Sequence, residues 1–376
     1  MNIAFFTPSV AGHRIEYIHH EYIYASKDTS NKYLFILPES FSKVKDLFLW
    51  PESSNIIFDF ISDEDGQKCI QSNPLKCSYK ISVLLRKYAI TRKLDHIFLN
   101  TLIDGMPFLP FMLPSSTKVS GIIYGIYLWQ EKELSFLKRL YNKYCFWNFI
   151  HSSIFSNILL LNDDITTEKL NRKHNIPRFV CLPDPIPSID KNDLRNIREQ
   201  YNIKSDNIVY LQFPVQKRKH SLELLQAIDV MDKKDLSNKT FLFVGKIENS
   251  IKNEFLVKVH QLSDKCQIIV EQGFIPYEAL FNFCYSSDFL ITLYDNYHMS
   301  SGVLGYSAFF NKCLISTNNG LLGHLVNKYN LGYCINQNKL ENLICVLNKG
   351  VRECKSDYLK NHNVVNFTEA VFSCFK

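Results

Sequence analysis

Two short runs in this chain hold residue types that grip phosphate. The first is PVQKRKH, residues 214–220, where Lys217, Arg218 and Lys219 stand together at the predicted opening of a helix. Cations at a helix start oppose its dipole, so three of them are locally unfavourable unless an anion sits beside them. A solvated basic cap is the other reading of the same residues. The second run is HMSSGVLG, residues 298–305. Ser300 and Ser301 are of the type that caps helices, and Gly302 lets the backbone come close to a ligand. The helix expected over Val303–Phe310 would offer free N–H groups to a phosphate. The triplet also reads as an ordinary cap on an ordinary loop. His13, in the turn PSVAGHR at residues 8–14, could act as a general base or a hydrogen-bond donor, since imidazole titrates near neutrality. A surface histidine at a helix start is the alternative. His19 and His20 read as solvated. Asp104 is the best-placed carboxylate of the first half, or simply a helix cap.

The elements that must position these residues alternate along the chain. Strand-like segments at 2–7, 33–37, 55–58, 96–100, 119–124, 158–161 and 179–182 are separated by helical stretches, clearest at 13–25, 79–92 and 131–150. Such alternation predicts a parallel sheet with helices on both faces. Three prolines in Pro183-Asp-Pro-Ile-Pro187 can continue neither a helix nor a central strand, so 1–182 reads as one domain and 183–187 as a linker. A charged helix over 190–201 should open the second domain, 188–355. Its expected strands are 207–213, 240–244, 267–271, 288–292 and 313–316. Its expected helices are 218–231, 248–262, 276–284, 303–310, 318–328 and 338–349. The tail 356–375 reads as helical. The fold class is therefore α/β, with two Rossmann-like parallel-sheet domains. Ligands of such sheets bind beyond the carboxyl ends of the strands. The runs at 8–14, 214–220, 272–276 (QGFIP) and 298–302 all fall there.

The bulk composition narrows the function classes. With 376 residues, 46% hydrophobic and 21% charged, the chain is long enough for two cores and too apolar for disorder. Its net charge of +6 is mild and spread out, which argues against nucleic acid and suits an anionic substrate or membrane surface. Eleven cysteines at irregular spacing, with no CxxC pair, suggest reduced thiols in a cytoplasmic protein rather than a disulfide framework or a zinc site. No signal peptide and no membrane span are expected.

The order strand, loop, small-residue helix start, strand, glycine-rich turn and helix over 288–332 resembles the donor-nucleotide half of GT-B glycosyltransferases, particularly family 4. Asn311 to Ile315 fall where that family has Gly-Thr-Pro-Val-Ile. Gly320-Leu-Leu-Gly323 and Leu331-Gly332 fall on its glycine-rich turn and its Leu-Gly. Ser-Ser-Gly-x-Leu-Gly resembles a divergent branch found among bacterial polysaccharide glycosyltransferases. The resemblance implies two domains facing a cleft, with a C-terminal helix, 356–376, crossing back to the first. It implies that Arg218 and Lys219 grip the donor diphosphate, with His220 in place of a glycine, and that Ser300, Ser301 and Gly302 hold the same phosphates. Phe274 and Ile275 would contact the nucleotide base, with core packing an equal contender. Gly12 lies at a sugar-contacting turn with the catalytic candidate His13. His298 and Tyr306 stand at the positions of the family's two glutamates, the second of which binds the ribose. Neither is acidic, so His298 becomes the second catalytic candidate and the stereochemistry stays open.

The activity so implied is transfer of a sugar from a UDP- or GDP-linked nucleotide-sugar to a glycan or lipid-linked polysaccharide precursor, without a cofactor or metal. Two other readings remain. One is a nucleotide-sugar epimerase on the same fold, which would need more acidic and histidine residues in the cleft than this chain offers. The other is a degenerate, non-catalytic scaffold or partner subunit, which the missing glutamates favour and the basic run opposes. Finally, the helix expected over 131–150 mixes Lys132, Lys138, Arg139 and Lys143 with many aromatics. It could make peripheral contact with an anionic inner membrane at its cytoplasmic face, or be a domain helix with one core face.

Overall fold

The computed structural model describes residues 1–10, 14–70, 73–125, 134–186, 191–295, 297–352, 354 and 356–376. Runs of consecutive apolar residues such as NIAFF and KYLFILP need cover on both faces, and both become strands of a parallel sheet. The chain divides into two compact units, Met1–Pro185 with Asn363–Lys376, and Ile186–His362.

In the first unit the strands are β1 (Asn2–Phe6), β2 (Lys32–Pro38), β3 (Ile56–Ile61), β4 (His96–Leu99), β5 (Lys118–Ile123), β6 (Phe155–Leu161) and β7 (Phe179–Leu182). They pair in parallel in the order β3-β2-β1-β4-β5-β6-β7. Alternate side chains of β1 serve two cores. Ile3 and Phe5 pack with the helix Arg14–Ala25, and Ala4 and Phe6 with the layer holding the helices Pro74–Thr91 and Phe136–His151. The C-terminal helix Val364–Phe372 joins the first of these cores. Phe372 lies 4.1 Å from the Tyr24 ring and Phe367 lies 4.8 Å from the Tyr17 ring.

The second unit holds β8 (Ile208–Gln212), β9 (Lys239–Gly245), β10 (Gln267–Gln272), β11 (Phe289–Thr292), β12 (Cys313–Thr317) and β13 (Gly332–Ile335). They are all parallel, in the order β10-β9-β8-β11-β12-β13. Strand order reverses at β8 and β11, so the loops after these two strands flank the ligand crevice expected of such a sheet. Gly320 opens the helix Gly320–Lys328 with φ +59°, and a Cβ there would lie 2.6 Å from the Tyr297 carbonyl oxygen. Glycine thus lets this turn support the 297–302 loop from below.

Several expectations need correction. The charged segment 190–201 is no helix: a short 3-10 turn, Lys191–Asp193, is followed by irregular chain. The reason is tertiary. Arg198 donates to the carbonyls of Ser286 and Asn207 and to Asp288, while Ile197 N–H donates to Ser286 Oγ, so contacts with the rest of the unit interrupt the segment before its closing turn over 198–202. Asp288, also accepting from Val209 N–H, therefore does clamping work at the amino end of β11. The tail is broken into Tyr358–Asn361, Val364–Phe372 and a final 3-10 turn, with Asn363 capping the middle piece. β13 was not expected. His19 and His20 are not simply solvated: His19 stacks 4.6 Å from Phe48, and burial pulls the His20 pKa down to about 4.

Candidate functional site: the carboxyl edge of the second sheet

The side chains of Lys219 and Tyr294 bind the loop after β8 to the loop after β11. Lys219 is 5% exposed, and its Nζ donates to the Phe213 carbonyl at 2.6 Å and to Tyr294 Oη at 3.1 Å. The ammonium also lies 4.7 Å from the Tyr294 ring centroid, a cation–π contact out of water. Ser301 Oγ donates to the same Tyr294 Oη at 3.4 Å. The exposed Arg218 guanidinium stands 5.9 Å from the Tyr294 ring. A second set of bonds fixes this geometry. Gln212, ending β8, donates to the Lys219 carbonyl, and Gln337, after β13, donates to the Tyr294 carbonyl. His220 Nε2 lies 2.8 Å from Asp295 Oδ1, and Asp295 N–H donates to the Arg218 carbonyl. Chemically, the edge offers one outward guanidinium and one held ammonium, two of whose three donors are engaged among the described residues.

Beside this network lies a cavity of about 540 Å³, lined by Phe213, Pro214, Val244, Ile275 and Leu280 with Lys246. Phe274 belongs to the same lining and is 89% exposed. Gly273, at φ +130°, turns the chain from β10 into this loop, a conformation that L side chains rarely adopt. The slot is apolar and open, with cations on its flank, since Lys219 Nζ is also 5.9 Å from the Phe213 ring. That suits a flat ring attached to an anion.

The carboxyl edge of the first sheet carries acids instead. Glu21 is fully buried and accepts from Asn100 Nδ2 at 3.1 Å, just past β4. Burial raises its pKa to about 8, against the opposing effect of that bond. Burial also raises the Asp104 carboxyl, with Arg14 pulling the other way. Tyr17 donates to Asp184 nearby.

No protein-family model matches this chain, and no curated protein sequence does. Solved structures match it along its whole length. A glycosyltransferase from Rickettsia africae ESF-5 aligns at TM-score 0.67 and 13% identity, over 100% of this chain and 98% of the other. WaaG, a glycosyltransferase involved in lipopolysaccharide biosynthesis, aligns at 0.63 and 14%, over 100% and 97%. Anabaena Alr3699/HepE, in complex with UDP-glucose, aligns at 0.69 and 14%, over 100% and 99%. The fold is GT-B.

Within this GT-B chain the expected site residues separate into groups. Arg218, Lys219 and Ser301 converge on Tyr294, and Phe274 and Ile275 line one cavity. His298 is buried against the Tyr297 ring at 4.1 Å, and Tyr306 is buried between the Phe213 and Phe281 rings. Gly12 and His13 lie outside the described residues.

One premise is overturned. The three cations do not open a helix. They form a separate 3-10 turn, Lys217–Lys219, and the helix Ser221–Val230 starts after His220 at φ +55°. The helix Val303–Phe310 is preceded by Gly302 in helical conformation, and Ser301 Oγ accepts from Val303 N–H at 3.4 Å, so a serine caps it from one residue further back. Tyr294, Gln212, Gln337 and the His220–Asp295 pair were all missed. A polar residue ending the apolar strand IVYLQ was a readable signal for Gln212; nothing local marks Gln337.

Proposed function

We propose that this protein is a glycosyltransferase whose second unit binds a nucleotide-sugar. The observation that carries this reading is the Lys219–Tyr294–Ser301 network, set at the strand-order reversal beside an apolar slot with an exposed phenyl ring. In this reading the base occupies the slot against Phe274 and Ile275. The diphosphate lies toward Arg218, Lys219 and the Ser300–Gly302 backbone. These groups would offset the negative charge that builds on the leaving diphosphate, the task that preorganised cations and N–H groups perform in such sites. The reaction needs no metal or further cofactor in this scheme. Several fold neighbours are glycosyltransferases, and one is complexed with UDP-glucose, which supports a UDP-linked sugar as the first donor to try. The acceptor class is a glycan or lipid-linked polysaccharide precursor. A non-catalytic donor-binding protein is the second reading, favoured by His298 and Tyr306 at the family's glutamate positions, both of them buried.

Titration calorimetry with UDP-, GDP- and CMP-sugars tests the proposal. Micromolar binding of one class, with hydrolysis or transfer of its sugar, is expected. No binding of any would refute it, and binding without turnover would favour the second reading.

A further inference from the structure

The first unit carries a surface feature that donor chemistry does not use. The helices Pro74–Thr91 and Phe136–His151 pack on the same face of the first sheet, through Ile81, Leu85, Phe146 and Phe149. Both grip the segment between β4 and β5: Ser78 Oγ donates to the Gly105 carbonyl, and Tyr141 Oη donates to the Met106 carbonyl. The two helices therefore flank that segment and its short helix Leu109–Met112. Their outward sides are unusually apolar. Leu137 is 77% exposed, Phe111 67% and Trp147 57%, with Tyr79, Val83 and Leu140 exposed beside them.

Charge on the two helices has one sign. The two helices span 18 and 16 residues and hold Lys76, Lys80, Arg86, Lys87, Lys138, Arg139 and Lys143, with no acid. The whole chain has 37 acids in 376 residues, so a stretch this long would carry about three by chance. These seven cations alone exceed the net charge of +6, leaving the rest of the chain near neutral. Asp104, in the intervening segment, is largely withdrawn from solvent.

We propose that this face docks on an anionic lipid surface. Lysine is depleted at protein–protein contacts, yet five of the seven cations here are lysines. Exposed Leu, Phe and Trp ringed by Lys suit the boundary between headgroups and acyl chains. No helix among the described residues is long and apolar enough to cross a membrane, so the contact is peripheral. This inference stands on the first unit alone and does not rest on the donor-site reading.

The test is co-sedimentation of the full chain with phosphatidylcholine vesicles, with and without phosphatidylglycerol. Binding only to the anionic vesicles is expected, weakening as salt rises. The variant Lys76→Glu/Lys80→Glu/Lys87→Glu/Lys138→Glu should partition at least about tenfold less. Leu137→Asn/Trp147→Asn keeps every charge, changes only exposed side chains, and should also lose binding severalfold. Failure of the parent to bind anionic vesicles, or unchanged partitioning of both variants, would overturn the proposal. Self-association that the same substitutions abolish would reassign the face to a second copy of the chain.

Discussion

Phe274→Ala separates a ligand-binding ring from a packing ring. Phe274 is 89% exposed, so it contributes almost nothing to the core in the absence of a ligand. Its loss should change unfolding free energy by less than about 0.5 kcal/mol. A base laid on one face of the ring would cover one of its two faces, roughly 60–100 Å². At about 25 cal/mol per Å² that is worth roughly 1.5–2.5 kcal/mol, within the ~1–3 kcal/mol found for base–aromatic stacking. The dissociation constant for the preferred nucleotide should therefore rise about tenfold to a hundredfold. Calorimetry on parent and variant, with a thermal melt of each, measures both halves. A Kd within twofold of the parent would show that the ring is a bystander. A large drop in Tm would show that it packs after all, and the base slot would lose its main support.

Three further predictions follow from the same geometry. Tyr294→Phe takes away one of the two acceptors that the buried Lys219 ammonium has among the described residues, which should cost about 1–3 kcal/mol of stability and weaken donor binding; an unchanged melt would refute it. Arg218→Ala should leave the melt alone but cost on the order of 2–4 kcal/mol in turnover with the preferred nucleotide-sugar, and unchanged turnover would confine the site to the 300–302 loop. Glu21 stays protonated in the fold up to about pH 8 but ionises from about 4.5 when unfolded, so the parent should lose stability as pH rises through that window. Glu21→Gln should remove this loss, and an equal change in unfolding free energy between pH 5 and pH 8 for parent and variant, measured by urea titration, would contradict it.

The fold was legible because its central strands are buried on both faces. Such strands read as short apolar runs, and turn residues punctuate them, so nearly all were found within a few residues of their ends. The segment 190–201 was misread because its charges and spaced apolar residues imitate a surface helix. What decides its shape is Arg198 reaching Ser286 and Asp288, some ninety positions away. The site was half legible for a similar reason. Residue type and position at a strand end pointed to Arg218, Lys219 and Ser301, but a helix dipole gives no reason for one of three adjacent cations to turn inward. The fold instead turns Lys219 inward onto Tyr294, seventy-five residues on, and satisfies it there. Adjacent cations in one run thus divide their work. Lys219 ties the two loops at the crevice and fixes their spacing, while Arg218 stands exposed against the same ring. Substituting Lys219 should therefore act first on stability, and substituting Arg218 first on the ligand.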